Sequence, residues 1–331
     1  MKLASIQYGG RECVVAEVDD AHAVDVGTLG LDVPDMTALI EGGPALLERL
    51  ASALDRLREP VVTQGAVVEG GQSEQGMLIP LSRAVWRPPV RRPGKICGVA
   101  MNNSASNARK IKAPDHPAFF LKPASCLVGH LQPIRIYEYY GSTHPEPELA
   151  VVIGRGGRQI PREDALNAVF GYTICNDITS NGMRAEDLFH YYALYASKDD
   201  PDKLERVEQH LSYAGRYKGS DTFGPLGPWL VTRDDVPNPD DLDVTCSVAG
   251  EVVAQDSTRY FNYNVAAVVA FISRFQTLEP GDVISMGTAF KPAPGRKSIH
   301  LANLARTRGP VEVTISGLGT LINPVEFIPN S

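Results

Sequence analysis

The sequence predicts an α+β protein that is mainly β, with a small N-terminal α/β module ahead of a larger β-rich domain. Three observations carry that expectation. Short apolar runs of strand length, bounded by Gly, Pro, Asn and Asp, recur along most of the chain. Helical periodicity is confined to a few places. A Pro- and Arg-rich stretch at 87–94 divides the chain, giving an expected module at 1–85 and an expected domain at 86–331. At 331 residues there is enough chain for one large or two ordinary domains.

Taken in order, strands are expected at 2–8 and 13–18 around a Gly9-Gly10 turn, and at 23–26. A helix is expected at 44–57, where Leu46, Leu47, Leu50, Leu54 and Leu57 share one face. A polar Gly-rich piece at 69–76 follows. Beyond the divide, strands are expected at 95–100, 118–122, 150–154, 171–176, 229–232, 244–248, 252–255, 283–286 and 311–315. Ala249-Gly250 reads as a hairpin turn, and Pro280-Gly281-Asp282 as a turn that launches a strand. An amphipathic helix is expected at 264–275, with Val265, Val268, Val269 and Ile272 on its stripe. The polar stretch 191–217 breaks the β pattern. Asp200-Pro201 looks like a helix start, and Leu204, Val207 and Leu211 follow at helical spacing. We expect a helical insertion there, either a lid or a surface ornament.

The totals exclude several classes. A hydrophobic share of 43% and a charged share of 21% fit a globular chain. The net charge of −7 argues against a general nucleic-acid binder, and Arg87, Arg91 and Arg92 read as a solvated linker. No apolar stretch approaches the ~20 residues that cross a bilayer. Arg11, Glu12 and Glu17 interrupt any signal-peptide core. Five scattered cysteines suggest reduced thiols and a cytoplasmic location, and no Cys/His spacing suits zinc.

The densest chemistry lies in His144-Pro145-Glu146-Pro147-Glu148-Leu149-Ala150-Val151-Val152-Ile153-Gly154. On a strand, residues two apart share a face, so Glu146 and Glu148 can point at one spot. Paired carboxylates repel, and a hard divalent cation relieves the repulsion. Asp177, closing the apolar run 169–176, offers a third oxygen ligand. Three carboxylates suit Mg²⁺ or Mn²⁺ and leave positions for substrate. Spacing alone favours a solvated strand end, because paired acids are common on exposed strands.

Five blocks together resemble the fumarylacetoacetate hydrolase superfamily over most of the chain. They are Arg92-Pro93-Gly94-Lys95-Ile96, the Glu146 to Gly154 run, Gly171-Tyr172-Thr173-Ile174-Cys175-Asn176-Asp177, Lys218 to Trp229, and Leu278 to Thr288. The resemblance implies a mixed β-roll domain, commonly homodimeric, acting on 2-keto acids or 1,3-diketones. It implies metal binding by Glu146, Glu148 and Asp177, and a catalytic role for Lys218 beside the metal.

Two departures from the family pattern matter. Where the family carries a His and, three residues on, a Glu that activate water, this chain has Ser106 and Arg109. Neither is a base at neutral pH. Where the family carries an Arg and, three residues on, a Gln that grip substrate, it has Asn181 and Arg184. Substrate contacts are therefore expected from Arg184, Asn181, Arg109 and Ser106. Thr288, after Gly287 at a strand end, is a further candidate or a structural turn. His116, His130, His144 and His190 are candidate replacement bases. Three activities follow: an acylpyruvase-type C–C hydrolase, as the family implies; a lyase or isomerase needing no attacking water (decarboxylase, tautomerase or dehydratase); or metabolite binding without turnover.

Overall fold

The structure, a computed structural model, describes residues 1–58, 61–63, 66–68, 78–288, 299 and 302–330. The Gly-rich piece expected at 69–76 lies outside them. Among the described residues the chain is built on a 12-stranded mixed sheet. Its centre is the antiparallel pair Pro147–Ile153 and Val169–Asn176, flanked by Gly224–Thr232 on one side and Val283–Ser285 on the other. Ile96–Ala100 then joins parallel to Val283–Ser285, and Ala118–Lys122 closes that end.

The front of the chain extends the same sheet. Lys2–Tyr8 pairs with Gly224–Thr232, and Arg11–Glu17 and His22–Asp25 follow outward. The expected divide after residue 85 falls within the short strand Val85–Trp86, which pairs with Lys2–Tyr8.

Both faces of the central strands are covered, which is why they read as unbroken apolar runs. Leu149, Val151, Ile153, Tyr172, Ile174 and Val231 pack against the helix Val265–Phe275 and the four-stranded sheet that includes Asp243–Val248 and Val311–Ile315. Asn264 caps that helix by accepting from the Ala267 N–H. On the other face Ala150, Val152, Phe170 and Leu230 meet Leu39, Ile40, Leu50 and Leu54 from the helices Met36–Glu41 and Gly43–Arg58. Each fully buried Leu or Ile contributes about 1.5–3 kcal/mol.

The helical insertion expected at 191–217 is corrected. Phe189–Ala196 and Leu204–Leu211 form an antiparallel hairpin, with Phe189 opposite Leu211 and Ala196 opposite Leu204. Asp200-Pro201 sits in the turn rather than opening a helix. Leu204 and Val207, three residues apart, lie on opposite faces of a strand, so their helical spacing was coincidence. The run Phe189-His190-Tyr191-Tyr192-Ala193-Leu194-Tyr195-Ala196 is rich in aromatics that favour a pleated surface. Only the single turn Gly215–Gly219, which carries Lys218, is helical in that stretch. The hairpin pairs with no other strand among the described residues, and Phe189, Tyr192 and Leu194 are exposed.

Candidate metal centre

Two backbone stitches bring the acidic segments together. The register sets Pro147 opposite Asn176. The Glu146 N–H donates to Asn176 Oδ1 at 2.9 Å, and the Asp177 N–H donates to the Glu146 carbonyl at 2.9 Å. Glu146, Glu148 and Asp177 are thereby gathered at one strand end, each no more than 2% exposed. One oxygen from each lies within 4.8 Å of the others.

Each carboxylate has one oxygen committed to its own donor. Glu146 Oε1 meets His144 Nε2 at 3.2 Å. Glu148 Oε2 accepts from Ser285 Oγ at 2.6 Å and from the Gly287 N–H at 2.9 Å. Asp177 Oδ1 accepts from Lys122 Nζ at 2.5 Å. The other oxygens of Glu146 and Asp177 turn to Lys218, whose Nζ donates to Glu146 Oε2 at 2.7 Å, to Asp177 Oδ2 at 2.5 Å and to Thr179 Oγ1 at 2.7 Å. Outer donors that hold one oxygen and leave its twin for a cation are what orients metal ligands. Three hard oxygen donors suit Mg²⁺ or Mn²⁺ and fill only part of the coordination shell of such an ion.

The electrostatics divide the acids. Burial and the charges of Asp177 and Glu146 push Glu148 up to about 8, against the pull of Lys218 and Ser285. Burial also acts upward on Glu146, but Lys218 and His144 outweigh it and bring it down to about 2. Burial works against the Lys218 ammonium, yet Asp177, Glu146 and Glu148 raise it above the ordinary lysine range. Lys122, with 1% of its side chain exposed, is opposed by burial and raised by Asp177. It also donates to the Phe223 carbonyl at 3.1 Å and to the carbonyl of Lys218, tying the Lys218 turn to the same ligand.

The remaining expected residues surround this cluster unequally. Asn181 opens the helix Asn181–Glu186 and places Nδ2 3.3 Å from His144 Nδ1. Arg184 is exposed and lies over the Tyr217 ring at 5.9 Å. Arg109 ends the turn Ser104–Arg109; burial lowers its pKa, while the charges of Glu146 and Arg184 also reach it. Ser106 is wholly buried, and its hydroxyl has no hydrogen-bond partner among the described residues. Thr288 is 3% exposed and follows Gly287, whose N–H holds Glu148.

Of the four candidate histidines only His144 joins the acids. His116 stacks on Phe271, His130 accepts from the Ile322 N–H against Trp86, and His190 stacks on His210 in the hairpin. Burial brings His130 down to about 4. Lys122, Thr179, Ser285 and Phe120, whose ring lies 5.1 Å from Lys218 Nζ, were not foreseen. A Lys-Pro pair ending an apolar strand was the one available signal for Lys122. A groove of about 890 Å³ runs between Pro44, Leu47, Phe170 and Arg233, but Glu146, Glu148 and Asp177 do not line it.

Comparison with known proteins agrees with this geometry. A sequence model of the fumarylacetoacetate (FAA) hydrolase C-terminal domain matches residues 95–326. The chain is 30% identical over 310 residues to the mitochondrial oxaloacetate tautomerase of Xenopus laevis, covering 93% of this chain and 83% of that one. It superposes on the maleylpyruvate hydrolase of Sphingobium sp. SYK-6 in complex with manganese(II) and pyruvate with a TM-score of 0.68, 26% identity and 99% coverage of each chain. A 2-hydroxyhepta-2,4-diene-1,7-dioate isomerase from Mycobacterium marinum gives 0.65, with 27% identity over 99% of this chain and 98% of that one. No helix among the described residues is long and apolar enough to cross a membrane. A mixed β fold, a buried acid trio and a domain match over most of its length make this chain a member of the fumarylacetoacetate hydrolase family of metal-dependent enzymes.

Proposed function

We propose that this protein is a Mg²⁺- or Mn²⁺-dependent isomerase that interconverts the keto and enol forms of a 2-keto acid, with Glu146, Glu148 and Asp177 as ligands. Bound there, the cation supplies Lewis-acid polarisation of the keto oxygen and stabilises enolate charge. Lys218 holds the proton to be moved. Its Nζ touches two of the three acids and Thr179, so it borders the place where a chelated keto acid would sit. Lys218, raised by the three acids around it, would give and retake that proton at Nζ once their charge is offset by a bound dication. Arg184 and Arg109 hold the substrate's carboxylates, and Thr288 takes a substrate oxygen through its hydroxyl or N–H. Ser106 and Asn181 complete the surroundings. A homodimer is carried over from the family resemblance, and the partner molecule is a small keto acid.

One observation carries the choice of reaction. Where the family resemblance expects a water-activating His and Glu, the chain has the buried hydroxyl of Ser106 and the cation of Arg109. Enolisation needs no attacking water, whereas C–C hydrolysis does. The similarity to an oxaloacetate tautomerase supports this reading. The similarity to a maleylpyruvate hydrolase favours the second one, an acylpyruvase acting on a 1,3-diketone acid. The test is direct. With Mn²⁺, the protein should speed the keto–enol exchange of oxaloacetate and leave acetylpyruvate uncleaved. Release of acetate and pyruvate at a rate matching the exchange would replace the isomerase with the hydrolase. Binding of these acids with neither reaction would leave a metabolite-binding protein.

A further inference from the structure

We infer that Asn181 and His144 form a directional hydrogen-bond chain that fixes His144 as the Nε2–H tautomer and thereby pins one oxygen of Glu146, making both positioning residues of the metal centre. This rests on the reading of Glu146 as a metal ligand. It removes Asn181 from the substrate contacts and His144 from the candidate bases.

The chain follows from donor and acceptor chemistry. An Asn side-chain NH₂ only donates, so Nδ2 at 3.3 Å from His144 Nδ1 requires a lone pair on that nitrogen. A neutral imidazole with Nδ1 as acceptor carries its hydrogen on Nε2. Nε2 lies 3.2 Å from Glu146 Oε1, and a carboxylate oxygen can only accept. Every link therefore points the same way, from Asn181 through His144 to Glu146. Both histidine nitrogens are occupied, so neither has a lone pair free to take a substrate proton.

The local fold holds the chain in place. His144 is 1% exposed and sits on the two-residue strand Thr143–His144, paired with Thr179–Ser180. Ser180 then caps the helix that begins at Asn181 by accepting from the Met183 N–H. The cap fixes the first helical residue, and the strand pairing fixes the histidine opposite Thr179, two residues before it. Pinning Oε1 leaves Oε2 of Glu146 on the side of Lys218, where the cation would lie. His144 thus does for Glu146 what Ser285 does for Glu148 and Lys122 does for Asp177. Partners of this kind are worth about 10–100-fold in metal affinity.

The experiment has two arms. In metal-free protein labelled with ¹⁵N-histidine, two-bond ¹H–¹⁵N spectra should show His144 with a bare Nδ1 and a protonated Nε2. Asn181→Asp, whose carboxylate only accepts, should move the hydrogen to Nδ1. In the second arm, Mn²⁺ titrations should show His144→Leu and Asn181→Leu binding about 10–100-fold more weakly than the parent. His144→Gln, which keeps a donor NH₂, should recover most of that loss. A protonated Nδ1 in the parent protein overturns the inference, and so does parental Mn²⁺ affinity in His144→Leu. Failure of the parent itself to bind Mn²⁺ would sink the metal-centre reading, while the spectra still judge the chain.

Discussion

Replacing Lys218 by Met should tighten metal binding while abolishing turnover. The ammonium lies within hydrogen-bond distance of Glu146 and Asp177, two of the three proposed ligands. It acts there as a resident monovalent cation. A divalent ion about 4 Å away would repel it by about 8 kcal/mol at an effective dielectric of about 20. Part of that returns in the variant. Without Lys218 the metal-free trio retains protons more tightly. Releasing one costs about 1.4 kcal/mol for every tenfold preference for the protonated form, which we take to offset about half of that repulsion. The difference leaves Mn²⁺ bound more tightly by up to about 4 kcal/mol, on the order of 10³-fold, and by at least about tenfold after side-chain relaxation. Calorimetric titration of both proteins at one pH measures the affinity, and oxaloacetate exchange measures the turnover. Weaker or unchanged Mn²⁺ affinity in Lys218→Met would refute the reasoning, because the ammonium would then not be competing for the site.

Other outcomes follow from the same geometry. Glu148→Ala should lose Mn²⁺ binding and turnover together; full activity of that variant in chelator would count against the metal centre. Mn²⁺ affinity of the parent should climb as pH rises toward 8 and level off above it, because Glu148, held at about 8, must shed its proton to become a ligand. Titrations in buffers of different ionisation heat would count that proton. In chelator the two glutamates pull stability in opposite directions. The contribution of Glu148, raised from 4.5, is complete below 4.5 and fades as pH climbs to about 8. That of Glu146, lowered to about 2, is present above 4.5 and fades as pH drops toward 2. Gly171→Ala should destabilise by about 3 kcal/mol in denaturant melts, since its Cβ would fall 2.2 Å from the Val231 carbonyl oxygen. Amides of Phe189–Ala196 and Leu204–Leu211 should exchange far faster than those of Pro147–Ile153, because an unsupported two-stranded hairpin is marginal in water. Protection there that grows with protein concentration would show a second copy covering the hairpin.

Much of the sheet was legible because buried strands announce themselves as apolar runs. Residues 311–315 and 118–122 fall where the sequence placed them. The helix Val265–Phe275 was equally plain from its apolar stripe, although Asn264, expected as its first residue, is its cap. The hairpin was not. Leu204, Val207 and Leu211 fit a 3.6 period as well as they fit two strand faces, and the aromatic partner strand settles the matter only once paired. The acid trio was readable from spacing and resemblance, but its supporting donors were not. Lys122 lies 55 residues from Asp177 in sequence, and nothing local to a Lys-Pro pair says that a carboxylate will meet it in the core. His144 was visible as one of four candidates. Its neighbours, and so its role, depend on a two-residue strand pairing that carries no periodic signal.

The way the first strands join the sheet bears on how members of this family can be recombined. Lys2–Tyr8 hydrogen-bonds to Gly224–Thr232, whose other edge pairs with the strand leading into Asp177. A chimera joined at residue 95, where the family match begins, would swap the neighbour of a strand only one removed from a proposed ligand. Crossovers that carry the front strands together with Gly224–Thr232 keep that seam native. Breeding new substrate ranges by exchanging front segments alone would therefore disturb the scaffold of the acids before it altered specificity.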